Sequence, residues 1–178
     1  PGDFIPHVRM MDTGKQNTSL AGLFGLPYVV IGKPRPIDTT TLNYNWQIWD
    51  TSAFSVYTAE TDFIDEESAR QAVSAVLRFL TRMGILKYNC HNGYIATVIH
   101  EEELMSVRTN TGGIYRRLCR PGDEVYTGQP LAEILDPYEG YVTSTILSPT
   151  DGIIFFTHKK PLATENEVIC KIIRRLHN

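Results

Sequence analysis

Cysteine is scarce in this chain and long apolar runs are missing, and each shortage excludes a class of protein. Its 178 residues contain three cysteines, Cys90, Cys119 and Cys170. An odd number of cysteines without a CxxC pair argues against a secreted disulfide framework. No apolar run approaches the roughly 18 residues of a membrane helix, and no signal peptide is evident. We therefore expect a soluble, cytoplasmic protein without a membrane partner.

Positive charge is also in short supply. Lys and Arg number 17 against 20 for Asp and Glu, which gives a formal net charge of −3. Because no run of basic residues offers a phosphate-binding surface, we do not expect nucleic acid as a partner. The length suits one domain with a sizeable core or two small domains.

The first part of the chain has the pattern of an α/β layer. Residues 27–32 form an apolar run between proline and glycine, which is typical of a strand buried on both faces. A short helix is predicted over 16–24, with Asn17 among its candidate caps. We expect loops over 1–14 and 33–36, and the pattern over 39–49 is ambiguous.

Residues 54–60 predict a second buried strand, which ends in the carboxylate of Glu60. A helix over 66–82 should follow, with Asp65 as its N-cap and Gly84 as its stop. One buried stripe of this helix is predicted at Ala69, Ala72, Val73, Val76, Leu77 and Leu80. Open α/β sheets bind ligands outside the carboxyl ends of their strands, so Glu60 is a candidate catalytic residue.

The helical period does not return after the polar, turn-forming segment 88–93. We therefore predict an α/β portion over 1–87 and an all-β domain over 88–178. Seven β-type runs occur in the second part, most of them separated by Gly or Pro turns: Tyr94–Ile99, Leu104–Arg108, Gly113–Leu118, Leu131–Leu135, Tyr141–Leu147, Gly152–His158 and Glu167–Ile173. This spacing is typical of a small barrel or sandwich.

The β-rich part contains an approximate internal repeat. Gly113 and Gly152 begin the two copies, which gives a period of about 39 residues, and Asn166 stands where Gly128 does in the first copy. Both Gly and Asn tolerate a left-handed backbone, so the exchange supports the alignment. Two strand–turn–strand copies facing each other predict a quasi-twofold β structure.

The repeat, with Gly122-Asp123-Glu124-Val125 and Gly128-Gln129-Pro130-Leu131, resembles the barrel-sandwich hybrid of lipoyl and biotinyl carrier domains. Such carriers present a modified lysine on the hairpin that joins the two copies. Here that connection, residues 136–141, contains no lysine. A non-catalytic carrier or binding module is therefore kept as the alternative function.

The order of an α/β part followed by a barrel-sandwich part with these motifs resembles the succinylglutamate desuccinylase/aspartoacylase family over nearly the whole chain. The segment Thr58-Ala59-Glu60-Thr61 looks like the family strand that carries the catalytic glutamate, although Thr61-Asp62 follows where the family usually has small residues. The resemblance implies a partial carboxypeptidase-like sheet with helices, followed by a barrel-sandwich-like domain. It also implies zinc-dependent hydrolysis of an N-acyl amino acid or similar small amide.

Zinc in this family is held by a His-x-x-Glu pair and a later His, and no such pair precedes Glu60. We therefore expect the zinc ligands upstream of Pro1 and no metal ligand in this chain, which would be an inactive C-terminal fragment. Zinc lowers the pKa of its bound water and polarises the scissile carbonyl, while a nearby carboxylate transfers the proton. The resemblance gives Glu60 that proton-transfer role. From the residues alone, a strand-end carboxylate that pairs with a lysine or caps the following loop is the more common use of such a residue.

Arg9, together with His7, could line the substrate pocket or lie on a surface loop, and Tyr138 could reach over the pocket to contact substrate.

His100 with the glutamates at 101–103 could bind a cation, although a solvated turn is the more common use of such a sequence. The cysteines lack a base partner in sequence, and Cys119 and Cys170 fit buried structural thiols. The acyl group and the oligomeric state stay open, a homo-oligomer included.

Overall fold

The computed structural model describes residues 2–59 and 64–175 and has a mixed α/β fold with several sheets and few helices. Its elements follow in the order β1 (Gly2–Phe4), β2 (His7–Met11), α1 (Thr18–Gly22), β3 (Tyr28–Gly32), a 3-10 turn (Pro36–Thr40), α2 (Leu42–Ile48), β4 (Ser55–Tyr57), α3 (Glu66–Arg82), β5 (Thr97–His100), a 3-10 turn (Glu101–Glu103), β6 (Met105–Arg108), β7 (Gly113–Arg117), β8 (Glu124–Val125), β9 (Pro130–Leu135), β10 (Val142–Leu147), β11 (Gly152–His158), β12 (Leu162–Ala163) and β13 (Val168–Arg174).

These elements form two compact units. One contains the described residues of 6–58 and 64–102, and we call it the parallel-sheet unit. The other contains residues 2–5, Ala59 and 103–175, and we call it the β unit. In the described part of the chain, no helix is both long and apolar enough to cross a membrane.

The parallel-sheet unit is built on a four-stranded sheet in the order β4-β2-β3-β5. Strands β2, β3 and β5 run parallel, and β4 runs antiparallel to β2, with Tyr57 opposite His7. The buried strand predicted over 27–32 is therefore present as β3. Two expectations were wrong: the segment 1–14 contains β1 and β2 rather than only loops, and the apolar run at 94–99 supplies β5 to this parallel sheet.

Caps at both ends explain the bounds of α3. The backbone N–H of Ser68 donates to Asp65 Oδ1 at 2.6 Å, and Gly84 adopts a φ of +73° just after the helix. Both residues were predicted in these roles. In α1 the side chain of Asn17 likewise accepts the N–H of Leu20, at 3.0 Å.

The buried face of α3 is not the predicted one. Ser68, Ala75 and Arg78 are the buried residues of this helix, whereas Val73 is 59% exposed and Val76 44% exposed. Arg78 is held in the interior because its Nε donates to the carbonyl of Phe24 at 2.9 Å. The core on this side packs Phe24 against Phe79 with ring centroids 4.4 Å apart, together with apolar residues of β2 and β3.

The β unit confirms the repeat in its strand order and pairing. Strands β7, β8 and β9 form the first copy, and β11, β12 and β13 form the second. Each short strand pairs with the first strand of the other copy: β8 with β11, and β12 with β7. Gly128 and Asn166 both have a left-handed backbone, with φ of 83° and 62°. This reciprocal exchange is the predicted quasi-twofold relation.

The sheets of the described residues are open, in the orders β1-β11-β13-β6, with β8 also on β11, and β10-β9-β7-β12. The barrel-sandwich arrangement accordingly stays a prediction. An apolar cluster forms the core of this unit, and its fully buried members include Leu131, Ile134, Ile154, Ile169 and Ile172. Cys119 and Cys170 lie in the same cluster with their sulfurs 3.9 Å apart, as expected of buried thiols.

Strand β1 joins this unit from the far end of the sequence. Gly2 pairs with His158 and Phe4 with Phe156, antiparallel to β11. The buried Asp3 accepts a hydrogen bond from Arg117 at 2.7 Å and lies 3.4 Å from the Lys159 ammonium. The β unit thus includes an edge strand whose residues precede the parallel-sheet unit in sequence.

Candidate functional site

The three parallel strands end at one edge of their sheet, and a polar cavity of about 210 Å³ lies there. It is lined by Asp12, which follows β2, by Lys33, which follows β3, by Glu101 and Glu102, which follow β5, and by Ile31 and His100. This is the edge at which open α/β sheets bind ligands. The cavity belongs entirely to the parallel-sheet unit.

Two ion pairs cross this edge. Arg9 Nη2 lies 2.5 Å from Glu101 Oε2, and Lys33 Nζ lies 2.6 Å from Glu102 Oε2. The hydrogen bond and the charge of Glu102 raise the pKa of Lys33, and the charge of Asp12 adds to the effect. Lys33 therefore stays an ammonium at neutral pH and supplies positive charge to the cavity.

Gly32 gives the first ion pair its room. A Cβ atom at this position would stand 2.9 Å from Glu101 Oε2 and 3.0 Å from Arg9 Nη2. Both distances are shorter than an ordinary van der Waals contact. The glycine that ends the apolar run of β3 therefore lets the guanidinium and the carboxylate meet over the end of the strand.

Buried hydrogen bonds hold the end of β2 in place. Gln47 of α2 is 1% exposed; its Oε1 accepts the N–H of Met11 at 3.2 Å, and its Nε2 donates to the carbonyl of Met11 at 2.5 Å. Asp12 then accepts a hydrogen bond from Gln16 Nε2 at 2.9 Å. The ambiguous pattern over 39–49 thus contains helix α2. Its residue Gln47 holds the end of β2, the strand that Asp12 directly follows.

A further carboxylate follows β3. Asp38 accepts hydrogen bonds from the backbone N–H of Arg35 at 2.9 Å and from its Nε at 3.0 Å. These bonds, helped by the charges of Arg35 and Arg9, lower the pKa of Asp38. Arg35, Arg9 and Lys33 therefore lie in one charged network with the acidic groups of this edge.

The predicted site residues fall in different places. Arg9 lies in β2, with a side chain that is 23% exposed, so it is not on a surface loop. His7 is buried and stacks on Tyr57, with ring centroids 4.8 Å apart. Tyr138 lies in the β unit, in the turn between β9 and β10, and is 93% exposed.

Glu60 lies outside the described residues, and its catalytic role stays a prediction. The strand before it differs from expectation, because β4 is half-buried rather than buried and runs antiparallel to β2. Its last residue, Tyr57, pairs with His7, so β4 ends at the edge where β2 begins. The rule about carboxyl ends of parallel strands therefore applies to Asp12, Lys33 and Glu101, and not to β4.

Sequence analysis did not bring the cavity residues together. A signal was present, since Asp12 and Lys33 directly follow apolar runs and His100 begins a polar segment. The pairing of β5 with β3 was the missing information. Among residues 2–59 and 64–175, no group of three His, Cys, Asp or Glu residues is arranged to hold a metal ion.

Solved structures share this fold. A product-bound structure of the ectoine utilization protein EutE (DoeB) from Ruegeria pomeroyi superposes with a TM-score of 0.78 over 96% of this chain and 54% of its own, at 16% identity. A succinylglutamate desuccinylase/aspartoacylase from Rhodobacter sphaeroides gives 0.76 over 99% of this chain and 56% of its own, also at 16% identity. A succinylglutamate desuccinylase from a Silicibacter species gives 0.79 over 96% and 54%, at 14% identity.

The predicted resemblance is therefore confirmed: the chain has the fold of succinylglutamate desuccinylase/aspartoacylase structures. It spans about half the length of the structures that it matches. No family model matches the sequence, and no curated protein matches it.

Proposed function

We propose that the protein acts as a deacylase, hydrolysing the amide bond of an N-acyl amino acid or a similar small substrate. The observation that carries the proposal is the fold, which succinylglutamate desuccinylase/aspartoacylase structures share over nearly the whole chain. The charged cavity at the carboxyl ends of β2, β3 and β5 supports it, because its volume of about 210 Å³ suits part of a small polar molecule.

Arg9 is proposed to bind the substrate. An N-acyl amino acid carries a carboxylate, and a guanidinium has five N–H donors in a planar fork that fits such a group. Arg9 directs Nη2 to Glu101 and keeps part of its side chain exposed. Tyr138 is proposed as a second substrate contact on the basis of its exposure in a hairpin turn.

Glu60 is proposed as the group that takes a proton from the attacking water and passes it to the leaving amine. Zinc, when bound, would polarise the amide carbonyl and lower the pKa of its water. The described residues do not by themselves fit a zinc site, so we propose that its ligands come from outside this chain. The length of the matching structures, about twice that of this chain, is compatible with that arrangement.

The deciding experiment assays the complete gene product against a panel of N-succinyl and N-acetyl amino acids. Glu60→Gln should lower kcat by about 10²- to 10⁴-fold, the usual contribution of a general base, with zinc content and Tm unchanged. Glu67→Gln, a nearby change in the first turn of α3, is the matched control and should retain activity. Full activity in the Glu60→Gln protein would refute the role of Glu60, and no hydrolysis of any N-acyl amino acid would refute the proposed reaction.

Two further measurements test the other parts of the proposal. Arg9→Lys should raise KM more than it lowers kcat, and Tyr138→Ala should raise KM while the matched surface change Tyr126→Ala does not. The 178-residue chain alone should lack stoichiometric zinc and activity. Zinc bound at one equivalent by this chain would contradict the proposed origin of the ligands, and a lipoyl or biotinyl mass on a lysine would favour the carrier alternative.

A further inference from the structure

Two thiols meet in the core of the β unit. Cys119 follows β7 and Cys170 lies in β13, and their sulfurs are 3.9 Å apart. Both residues are buried, with 3% and 0% of their surface exposed. Strand β7 belongs to one sheet of the unit and β13 to the other. A covalent bond between these sulfurs would therefore connect the two sheets.

The distance between the sulfurs is short enough for a disulfide to form. The sulfurs of a disulfide lie about 2 Å apart, so each sulfur of this pair has to move by about 1 Å. A modest rotation of each side chain about its Cα–Cβ bond supplies that movement. The bond would close a loop between positions 51 residues apart, and this loop contains β8 to β12.

The two thiols differ in their ease of ionisation. A hydrogen bond from Cys170 to the sulfur of Cys119, helped by the charge of Arg117, lowers the pKa of Cys119, while burial and the charge of Asp123 oppose this effect. The same hydrogen bond, together with burial, raises the pKa of Cys170. In its thiol form Cys119 donates to the carbonyl of Leu131 at 3.5 Å, and oxidation gives up this contact. Because the thiolate is the nucleophile in cysteine chemistry, Cys119 is the residue that reacts first.

Cys119 also lies closer to the surface. Its neighbours in sequence, Leu118 and Arg120, are both exposed. The residues that follow form a turn, in which the backbone N–H of Arg120 donates to Asp123 Oδ2 at 2.7 Å. An exposed turn opens locally at a lower free energy than the strands of a sheet, so a molecule as small as hydrogen peroxide reaches Cys119 without the unpairing of β13.

We propose that Cys119 and Cys170 are a redox-sensitive pair, which a peroxide oxidises to a disulfide between the two sheets of the β unit. The Cys119 thiolate attacks one oxygen of the peroxide, the O–O bond breaks, and the hydroxide that leaves takes up a proton to form water. The sulfur of Cys170 then attacks the resulting sulfenic acid on Cys119, and the proton of Cys170 leaves with the hydroxide as a second water. The two sulfurs are oxidised and the peroxide is reduced.

The pair acts independently of the proposed reaction, since the redox state of the thiols is measured without substrate. Oxidation should make the β unit harder to unfold, because a disulfide restricts the unfolded chain and the restriction grows with the length of the loop that it closes.

Peroxide treatment of the folded 178-residue chain tests the proposal. In a Cys90→Ser background, hydrogen peroxide in native buffer should remove the mass of two hydrogen atoms, and a tryptic digest without reductant should contain the Cys119 peptide linked to the Cys170 peptide. Dithiothreitol should restore the original mass. The oxidised chain should have a Tm about 5–15 °C above that of the reduced chain.

Variants test the order of the two steps. Cys170→Ala should leave a sulfenic acid on Cys119 that the probe dimedone traps, whereas Cys119→Ala should leave Cys170 unlabelled because Cys170 is fully buried. Cys90 of the unchanged chain, a partly exposed thiol, is the control for the potency of the peroxide. Far-UV circular dichroism establishes that each variant is folded.

Three results would overturn the proposal. In the first, Cys119 and Cys170 stay reduced in native buffer while Cys90 of the unchanged chain is oxidised, which would make the pair packing residues only. In the second, the disulfide forms only in urea, so that its formation requires an unfolded chain. In the third, dimedone labels Cys170 in Cys119→Ala as strongly as it labels Cys119 in Cys170→Ala, which would contradict the order of the steps.

Discussion

Gly32 shows how one missing side chain shapes the charged edge of the parallel sheet. The Arg9 guanidinium and the Glu101 carboxylate meet in the space that its Cβ would occupy. Gly32→Ala should therefore force the ion pair apart and lower the free energy of unfolding by about 1–3 kcal/mol, as other overpacked sites do.

Urea unfolding of Gly32→Ala in β3 and Gly22→Ala in α1 tests this prediction, because it gives the free energy of unfolding of each variant. Gly22→Ala is the control, since nothing lies within 4 Å of the added Cβ and the residue belongs to α1, where alanine is favoured. Equal stability of Gly32→Ala and the unchanged protein would show that the ion pair moves aside without cost.

Asp38 should make stability depend on acid pH. Its pKa is lowered in the folded protein, chiefly by the hydrogen bonds from Arg35. A carboxyl with a lowered pKa stabilises the fold above its unfolded pKa, near 4, and this contribution is lost as the pH falls through the folded value. Asp38→Asn should flatten this part of the stability curve in unfolding measurements between pH 2 and 6. Glu139→Gln, in an exposed turn of the β unit, should leave the curve unchanged.

At the scale of elements, turn chemistry allowed firm predictions. The exchange of Gly128 for Asn166 between the repeat copies predicted a left-handed backbone, and both residues have it. Asn166→Gly should thus keep full stability, whereas Asn166→Val should cost about 1–2 kcal/mol because a β-branched residue resists positive φ. Thermal unfolding of these variants beside Glu165→Val, an exposed neighbour with ordinary φ, separates backbone strain from side-chain effects. Equal losses at 165 and 166 would contradict the explanation.

Helix α3 shows where the sequence was insufficient. Its caps, Asp65 and Gly84, depend on neighbouring residues and were predicted correctly. Its buried face depends on the elements that pack against the helix. The buried residues are Ser68, Ala75 and Arg78, whereas Val73 and Val76 of the predicted apolar stripe are exposed. An apolar period identifies an apolar face but does not say which partner covers it.

The candidate site was harder to predict because strand pairing brings it together. Asp12, Lys33 and Glu101 belong to segments up to 89 residues apart in sequence, and they meet only because β5 pairs with β3. An apolar run does not indicate which strand it will pair with, and the pattern of residues 94–99 suited a strand of either unit. Arg9 could be singled out, whereas its pairing with Glu101 could not.

At the scale of the molecule, the β unit depends on residues from both ends of the described chain. Deleting residues 1–5 removes β1 from β11 and leaves Arg117 and Lys159 without Asp3. We expect a lower Tm of the β unit and faster hydrogen exchange of amides in β11, with amides of β3 unaffected. Asp3→Asn keeps the strand and removes only the charge, so its effect should be smaller. Unchanged exchange in β11 after the deletion would show that β1 contributes no stability.

The pairing of Gly2 with His158 also sets an order of events during synthesis. The ribosome releases β1 before the parallel-sheet unit, but its partner β11 is made only after all of that unit and the first copy of the repeat. Until then β1 has no strand to join, and the loop that must close spans more than 150 residues, which makes the contact slow to form. The β unit therefore completes its sheet late, after the parallel-sheet unit has been synthesised, and an arrested chain that stops before β11 would carry β1 without its partner strand.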